Sequence, residues 1–186
     1  MEKQKCDWGG PGFNMSSVRI LVVEDFAPFR QFIRSTLGER PDLQIIGEVS
    51  DGLEAVQKAE ELKPDLIVLD IGLPGLNGFE AARRIRKVAP ETKILFVSQE
   101  SSADVVQEAL RLGALGYVVK THAGSDLLAA VEAVCEGRQF VGSGVSGLVS
   151  ADTTDEESTS PRKPSHRLPG EKGRSLAQVF DSNSTG

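Results

Sequence analysis

Short apolar runs alternate with longer amphipathic stretches between residues 18 and 137, and the alternation repeats five times. Val18 to Val23 is apolar except for Arg19 and reads as a strand that ends on Glu24 and Asp25. Phe26 to Leu37 then places Phe29, Phe32, Ile33 and Leu37 on one helical face, with Pro28 acceptable in the first turn. Leu43 to Val49 reads as a second strand, and Asp51 to Leu62 as a helix with an Ala55, Val56, Ala59, Leu62 stripe that Pro64 terminates. Leu66 to Leu69 are four consecutive apolar residues between Asp65 and Asp70, too short for a helix and too apolar for an edge strand. Gly78 to Ala89 follows as a helix, with Phe79, Ala82 and Ile85 inward and Arg83, Arg84, Arg86 and Lys87 mostly on a solvated face. Thr92 to Val97 is a fourth strand ending on Ser98, and the next helix, from about Ala103 to Leu112, closes at Gly113. Leu115 to Val119 is the fifth strand, ending on Lys120, after which Ser125 caps a helix running to about Glu136.

Five strand–helix repeats with short connections and right-handed crossovers specify an α/β fold, a doubly wound five-stranded parallel sheet with helices on both faces. The pattern places one domain at 18–137. Residues 1–17 hold Trp8 among glycines and Pro11 without periodicity and read as a disordered extension, in which Met15 competes with Met1 as the start. Residues 138–149 read as an extended cover or linker, and 150–186, rich in Ser, Thr, Pro, Gly, Asp and Glu, as a disordered tail without an output domain.

Composition narrows the function classes. A net charge of -6 without a basic stripe argues against a nucleic-acid face. No apolar run is long enough to span a membrane. Cys6 and Cys135 form neither a disulfide framework nor a metal spacing, which suits a reducing cytoplasm.

The strand ends carry the chemistry. In a parallel sheet every strand delivers its carboxyl end to one rim, so Glu24, Asp25, Asp70, Ser98 and Lys120 are expected to gather there. Gly72, Pro74, Gly75 and Gly78 after Asp70 imply a tight loop in which the glycines permit positive φ. Close carboxylates repel by roughly 4 kcal/mol per pair at an effective dielectric near 20, so the cluster requires a cation. All-oxygen ligation suits Mg2+, which also takes phosphate oxygens. A hydroxyl and an ammonium opposite the metal complete a phosphoryl-aspartate site, with Asp70 as nucleophile, Lys120 as a charge clamp and Ser98 as a hydrogen-bond sensor.

Val22-Val23-Glu24-Asp25, Asp70 with Pro74 and Gly78, Ser98, and Gly116-Tyr117-Val118-Val119-Lys120 together resemble the receiver domain of two-component response regulators. The resemblance implies a flavodoxin-like sheet of order 2-1-3-4-5. It implies Mg2+ held by Asp25, Asp70 and the Gly72 carbonyl with Glu24 acting through water, and a switch made by Ser98 and Tyr117. It further implies that Asp70 accepts a phosphoryl group from a sensor histidine kinase or phosphotransfer protein. The chain would then be no enzyme beyond its own phosphoryl transfer and hydrolysis, with a homodimer forming on phosphorylation and no membrane or nucleic-acid partner. Thr121 stands where most receivers carry Pro, and with Ala123 to Leu128 it resembles the subfamily that usually adds a C-terminal helix-turn-helix. Gln99 replaces a commonly small residue and is expected to narrow access to Asp70. Three alternatives stand beside this reading. A truncated DNA-binding regulator of the same family is one. A flavodoxin-type binding module is disfavoured because Glu24 and Asp25 would repel its phosphate. A haloacid-dehalogenase-like phosphatase would need a second acid where Gly72 stands.

Overall fold

In the computed structural model, which describes residues 17–145, each apolar run becomes a strand and each amphipathic stretch a helix. Expectations for Cys6, Trp8, Met15 and the tail lie outside the described residues. The order is β1 (Val18–Val23), α1 (Ala27–Gly38), β2 (Leu43–Val49), α2 (Gly52–Leu62), β3 (Leu66–Asp70), α3 (Gly78–Val88), β4 (Lys93–Ser98), α4 (Ala103–Arg111), β5 (Gly116–Val119), a 3-10 turn over Lys120–His122, α5 (Ala123–Cys135) and β6 (Phe140–Val141). All strands pair in parallel in the order β2-β1-β3-β4-β5-β6. The expected order 2-1-3-4-5 therefore holds, and a sixth short strand extends it beyond β5.

Strand alternation divides the core into two layers. Leu21, Val23, Ile67, Leu69, Ile94, Phe96 and Tyr117 face α2, α3 and α4, whereas Ile20, Val22, Leu66, Val68, Leu95, Val97 and Val118 face α1 and α5. Burying one such side chain contributes about 1.5–3 kcal/mol. Since a one-residue slip would send a strand's whole set to the opposite layer, the register is pinned, and with it the height at which each strand ends.

Three local readings differ from the sequence expectation. Ser125 does not cap α5: the 3-10 turn runs directly into the helix at Ala123, and Ser125 Oγ donates instead to the His122 carbonyl at 2.9 Å and to Asp126 Oδ1 at 2.7 Å. Arg86 is not solvated like Arg83 and Arg84. It is half-buried, and its guanidinium donates to the Gly113 carbonyl just past α4, where the helix end attracts a cation. Among Gly72, Gly75 and Gly78 in the loop that follows Asp70, only Gly75 adopts positive φ, at 69°. Gly78 is required for closeness instead: a Cβ there would lie 2.1 Å from the Asp70 carbonyl oxygen.

Candidate functional site

Parallel pairing of β1, β3, β4 and β5 brings their carboxyl ends to one rim. The Glu24 amide donates to the Val49 carbonyl at 3.0 Å, which carries β1 one residue further and buries the Glu24 side chain completely. Asp25, the next residue, is exposed. Asp70 closes β3 and is 4% exposed, and Ser98 closes β4 at 3%. Carboxylate oxygens of Glu24, Asp25 and Asp70 all lie within 4.8 Å of one another. Every residue expected at the rim is thus found there.

Lys120 joins the group across the sheet. Its Nζ lies 2.9 Å from Asp70 Oδ2 and 2.8 Å from Glu24 Oε2, and donates to Glu24 Oε1 at 2.9 Å. The ammonium also sits 5.0 Å from the Phe29 ring centroid, a cation–π contact that reinforces its position. Burial pushes the Glu24 carboxyl above its ordinary 4.5, and the nearby Asp70 pushes the same way, while Lys120 and the Phe26 amide pull it down. Although Glu24 Oε2 has the ammonium close by, it accepts no directed hydrogen bond.

These features fit a hard cation. Three carboxylates offer only oxygen donors, and a buried Glu24 oxygen lacks a hydrogen-bond partner beside them. The Gly72 amide donates to Asp70 Oδ1 at 3.2 Å, and a Cβ at Gly72 would lie 3.6 Å from Asp70 Oδ2. The loop therefore folds back beside the carboxylate, leaving the space that a side chain would partly fill.

On the other side of Asp70, Ser98 Oγ accepts from the Glu100 amide at 3.1 Å. Tyr117 is fully buried, and its hydroxyl donates at 2.8 Å to the carbonyl of Glu100, the residue whose amide donates to Ser98 Oγ. Burial of the ring raises the phenol above its ordinary 10. The ring that the sequence resemblance marks as a switch thus occupies the inward position. Gln99 is exposed and, with Phe26, Phe29, Lys120 and Thr121, lines a groove of about 360 Å³ that Asp70 does not line. Phe29 was legible only as part of an apolar helix face. Its contact with Lys120 had no sequence signal, because α1 and the turn after β5 meet only in the folded chain.

Comparison with known proteins agrees with this geometry. Residues 20–132 match the family model described as the response regulator receiver domain. The chain is 45% identical over 112 residues to the protein-glutamate methylesterase/protein-glutamine glutaminase of Thermotoga maritima, covering 59% of this chain and 32% of that protein. It thus spans about a third of that relative's length. It is 29% identical over 159 residues to the nitrate/nitrite response regulator protein NarL of Escherichia coli, covering 86% of this chain and 74% of the relative. Among solved structures it resembles a two-component response regulator of the LuxR family from an Aurantimonas species, with 34% identity and a TM-score of 0.64 over 67% of this chain and 89% of that one. Glu24, Asp25, Asp70, Ser98, Tyr117 and Lys120 all fall within the matched span, and the chain belongs to the response regulator receiver domain family.

Proposed function

We propose that Asp70 is the phosphoacceptor of this receiver and that its phosphorylation switches the protein-interaction face built from α4, β5 and α5. The observation that carries the reading is the Lys120 ammonium within 2.9 Å of both Asp70 and the buried Glu24, at the strand ends where a ligand would approach. The donor is a phosphohistidine on a sensor kinase or phosphotransfer protein. An Asp70 carboxylate oxygen attacks phosphorus, the P–N bond breaks, and the imidazole leaves with its electron pair. Lys120 turns from the carboxylate to a phosphoryl oxygen, and Ser98 donates its hydroxyl to another.

Asp25, Asp70 and the Gly72 carbonyl, with Glu24 through water, are the residues that would hold Mg2+. When bound, the ion would neutralise the carboxylates and hold phosphoryl oxygens during transfer. The chain's own chemistry is limited to acquiring and hydrolysing its acyl phosphate. The activity named for the Thermotoga relative is not carried over, since two thirds of that protein lies outside the match. The setting is cytoplasmic, in keeping with the receiver family match; among the described residues no helix is long and apolar enough to cross a membrane.

Incubation with a small phosphodonor and Mg2+ is expected to add one phosphoryl group, acid-stable and base-labile, on Asp70. Peptide mass spectrometry reads the position, and phosphate on Ser98 or Thr121 instead would overturn the assignment. A second expectation concerns the ion. Mg2+ should raise the thermal midpoint by mass action, and Asp25→Asn should remove most of that rise. An unchanged response in the variant would place the ion elsewhere.

A further inference from the structure

Beyond α5 the chain turns at Gly137, whose φ is +79°, and lays Phe140–Val141 along β5. The Phe140 amide donates to the Leu115 carbonyl and the Gly142 amide to the Tyr117 carbonyl, both at 2.8 Å. So short a strand is not expected to persist on its backbone bonds alone. Two anchors hold it. Ser143 donates to the buried Asp126 through its amide at 2.5 Å and its hydroxyl at 3.3 Å. Gly144 packs so closely on the His122 ring that a Cβ would come within 2.4 Å of it. Burial pushes the Asp126 carboxyl up, but hydrogen bonds from Ser125 and Ser143 outweigh this and hold it below the ordinary 3.8. The anchor is therefore ionised at neutral pH.

The register sets Val141 directly beside Tyr117, and both pack in the same sheet layer with Val145. The Tyr117 ring lies on the β4 side, tied through its hydroxyl to the Glu100 carbonyl, whose residue in turn donates its amide to Ser98. Staggered rotamers are about 120° apart, and the strand neighbour on the side of Tyr117 away from β4 is β6. Val141 stands there. We infer that residues 138–145 are a latch on the switch: docked on β5, Val141 takes the space an outward Tyr117 would need and biases the receiver toward the ring-in arrangement. The consequence for signalling rests on the proposed role of Asp70. Phosphorylation that draws Ser98 and Tyr117 inward must, by reciprocity of coupling, tighten the latch by the same factor that the latch favours phosphorylation. The β5 edge is occupied by the chain's own segment, and any partner seeking that edge must displace it.

Tyr117 is the only tyrosine in the chain, so 3-fluorotyrosine gives one fluorine resonance that reports its ring. In the full chain, Gly142→Ala places a Cβ 2.7 Å from Asp126 Oδ2 and 3.3 Å from the Tyr117 carbonyl oxygen, enough to lift the segment without touching the rim residues. Without any phosphodonor, amide exchange at positions 140 and 142 should accelerate at least tenfold, and the fluorine resonance should become solvent-accessible. Val141→Ala, which keeps the backbone bonds, should leave exchange slow yet free the ring. Unprotected amides at 140 and 142 in the unsubstituted chain would overturn the docking, and slow exchange in Gly142→Ala would overturn the tight seating of Gly142 on Asp126 that the docking relies on. A fluorine signal unchanged while the segment is undocked would overturn the latch. With phosphodonor, exchange at 140 and 142 in the unsubstituted chain should slow several-fold, the adduct on Asp70 being counted by mass in the same sample. An adduct without that slowing would sink the coupling and spare the phosphoacceptor. No adduct would sink the phosphoacceptor, and the fluorine comparison would still decide the latch.

Discussion

Lys120→Met is expected to lose about 3–5 kcal/mol of folding stability at neutral pH in chelator-treated buffer, the range for removing one member of a buried ion pair. Among the described residues Lys120 is the one ammonium paired with the rim carboxylates, with contacts of 2.8 and 2.9 Å to groups that are almost wholly buried. Methionine keeps the stem against Phe29 but leaves Glu24 and Asp70 facing each other. The loss depends on pH. Burial raises the folded Glu24 carboxyl above 4.5, and Asp70 adds to this, whereas Lys120 opposes it. Removing Lys120 removes the opposing contributions, so the variant's Glu24 rises further. Between 4.5 and that raised value the folded state holds a proton that the unfolded state has lost, so stability falls as pH increases through the window. The deficit of the variant relative to the unsubstituted chain should therefore be smallest near pH 4.5 and grow with rising pH. Denaturant midpoints across that range measure it. A deficit below about 1 kcal/mol, the value for an exposed pair, would mean that the cluster is solvated.

Much of this site was legible because of what parallel sheets require. Strands covered on both faces read as unbroken apolar runs, so the polar residue ending each run stands out, and the sequence alone marks Asp70, Ser98 and Lys120. What escaped notice depended on distances across the fold. β6 has two residues, between Gln139 and Gly142, and no periodicity, and its anchor Asp126 lies 17 positions before Ser143. Ser125 satisfies the usual signature of a cap, yet the turn at Lys120–His122 leaves no loop for it to close. Arg86 belongs to a run of basic residues whose neighbours are solvated, and only the end of α4 distinguishes it. The glycines after Asp70 were recognisable as a loop, but sequence offers no means to separate positive φ at Gly75 from close packing at Gly78.

That distinction yields the second large effect. Gly78→Ala should slow phosphorylation of Asp70 by roughly a hundredfold, the order expected when a reacting group is displaced by about 1 Å. The added Cβ would lie 2.1 Å from the Asp70 carbonyl oxygen and 2.7 Å from Ile71 Cα. Both are backbone atoms, and no side-chain rotation relieves the overlap. The Gly78 amide also donates to the Ile71 carbonyl at 3.0 Å, so α3 and the end of β3 move apart only by breaking that bond. Overpacking of this kind costs about 1–3 kcal/mol. Replacing glycine in a helix returns at most about 1 kcal/mol, and less in the first turn, so the clash wins. Gly124→Ala provides the contrast, because it sits in the first turn of α5 with no atom within 4 Å of the new Cβ. It should stabilise by a fraction of 1 kcal/mol and leave phosphorylation unchanged. Stopped-flow phosphorylation with a small donor compares the three proteins, and thermal melts establish that each is folded at the assay temperature. Equal rates in Gly78→Ala and the unsubstituted chain would show that the loop yields without moving Asp70, and that the contact between α3 and β3 does not position the carboxylate.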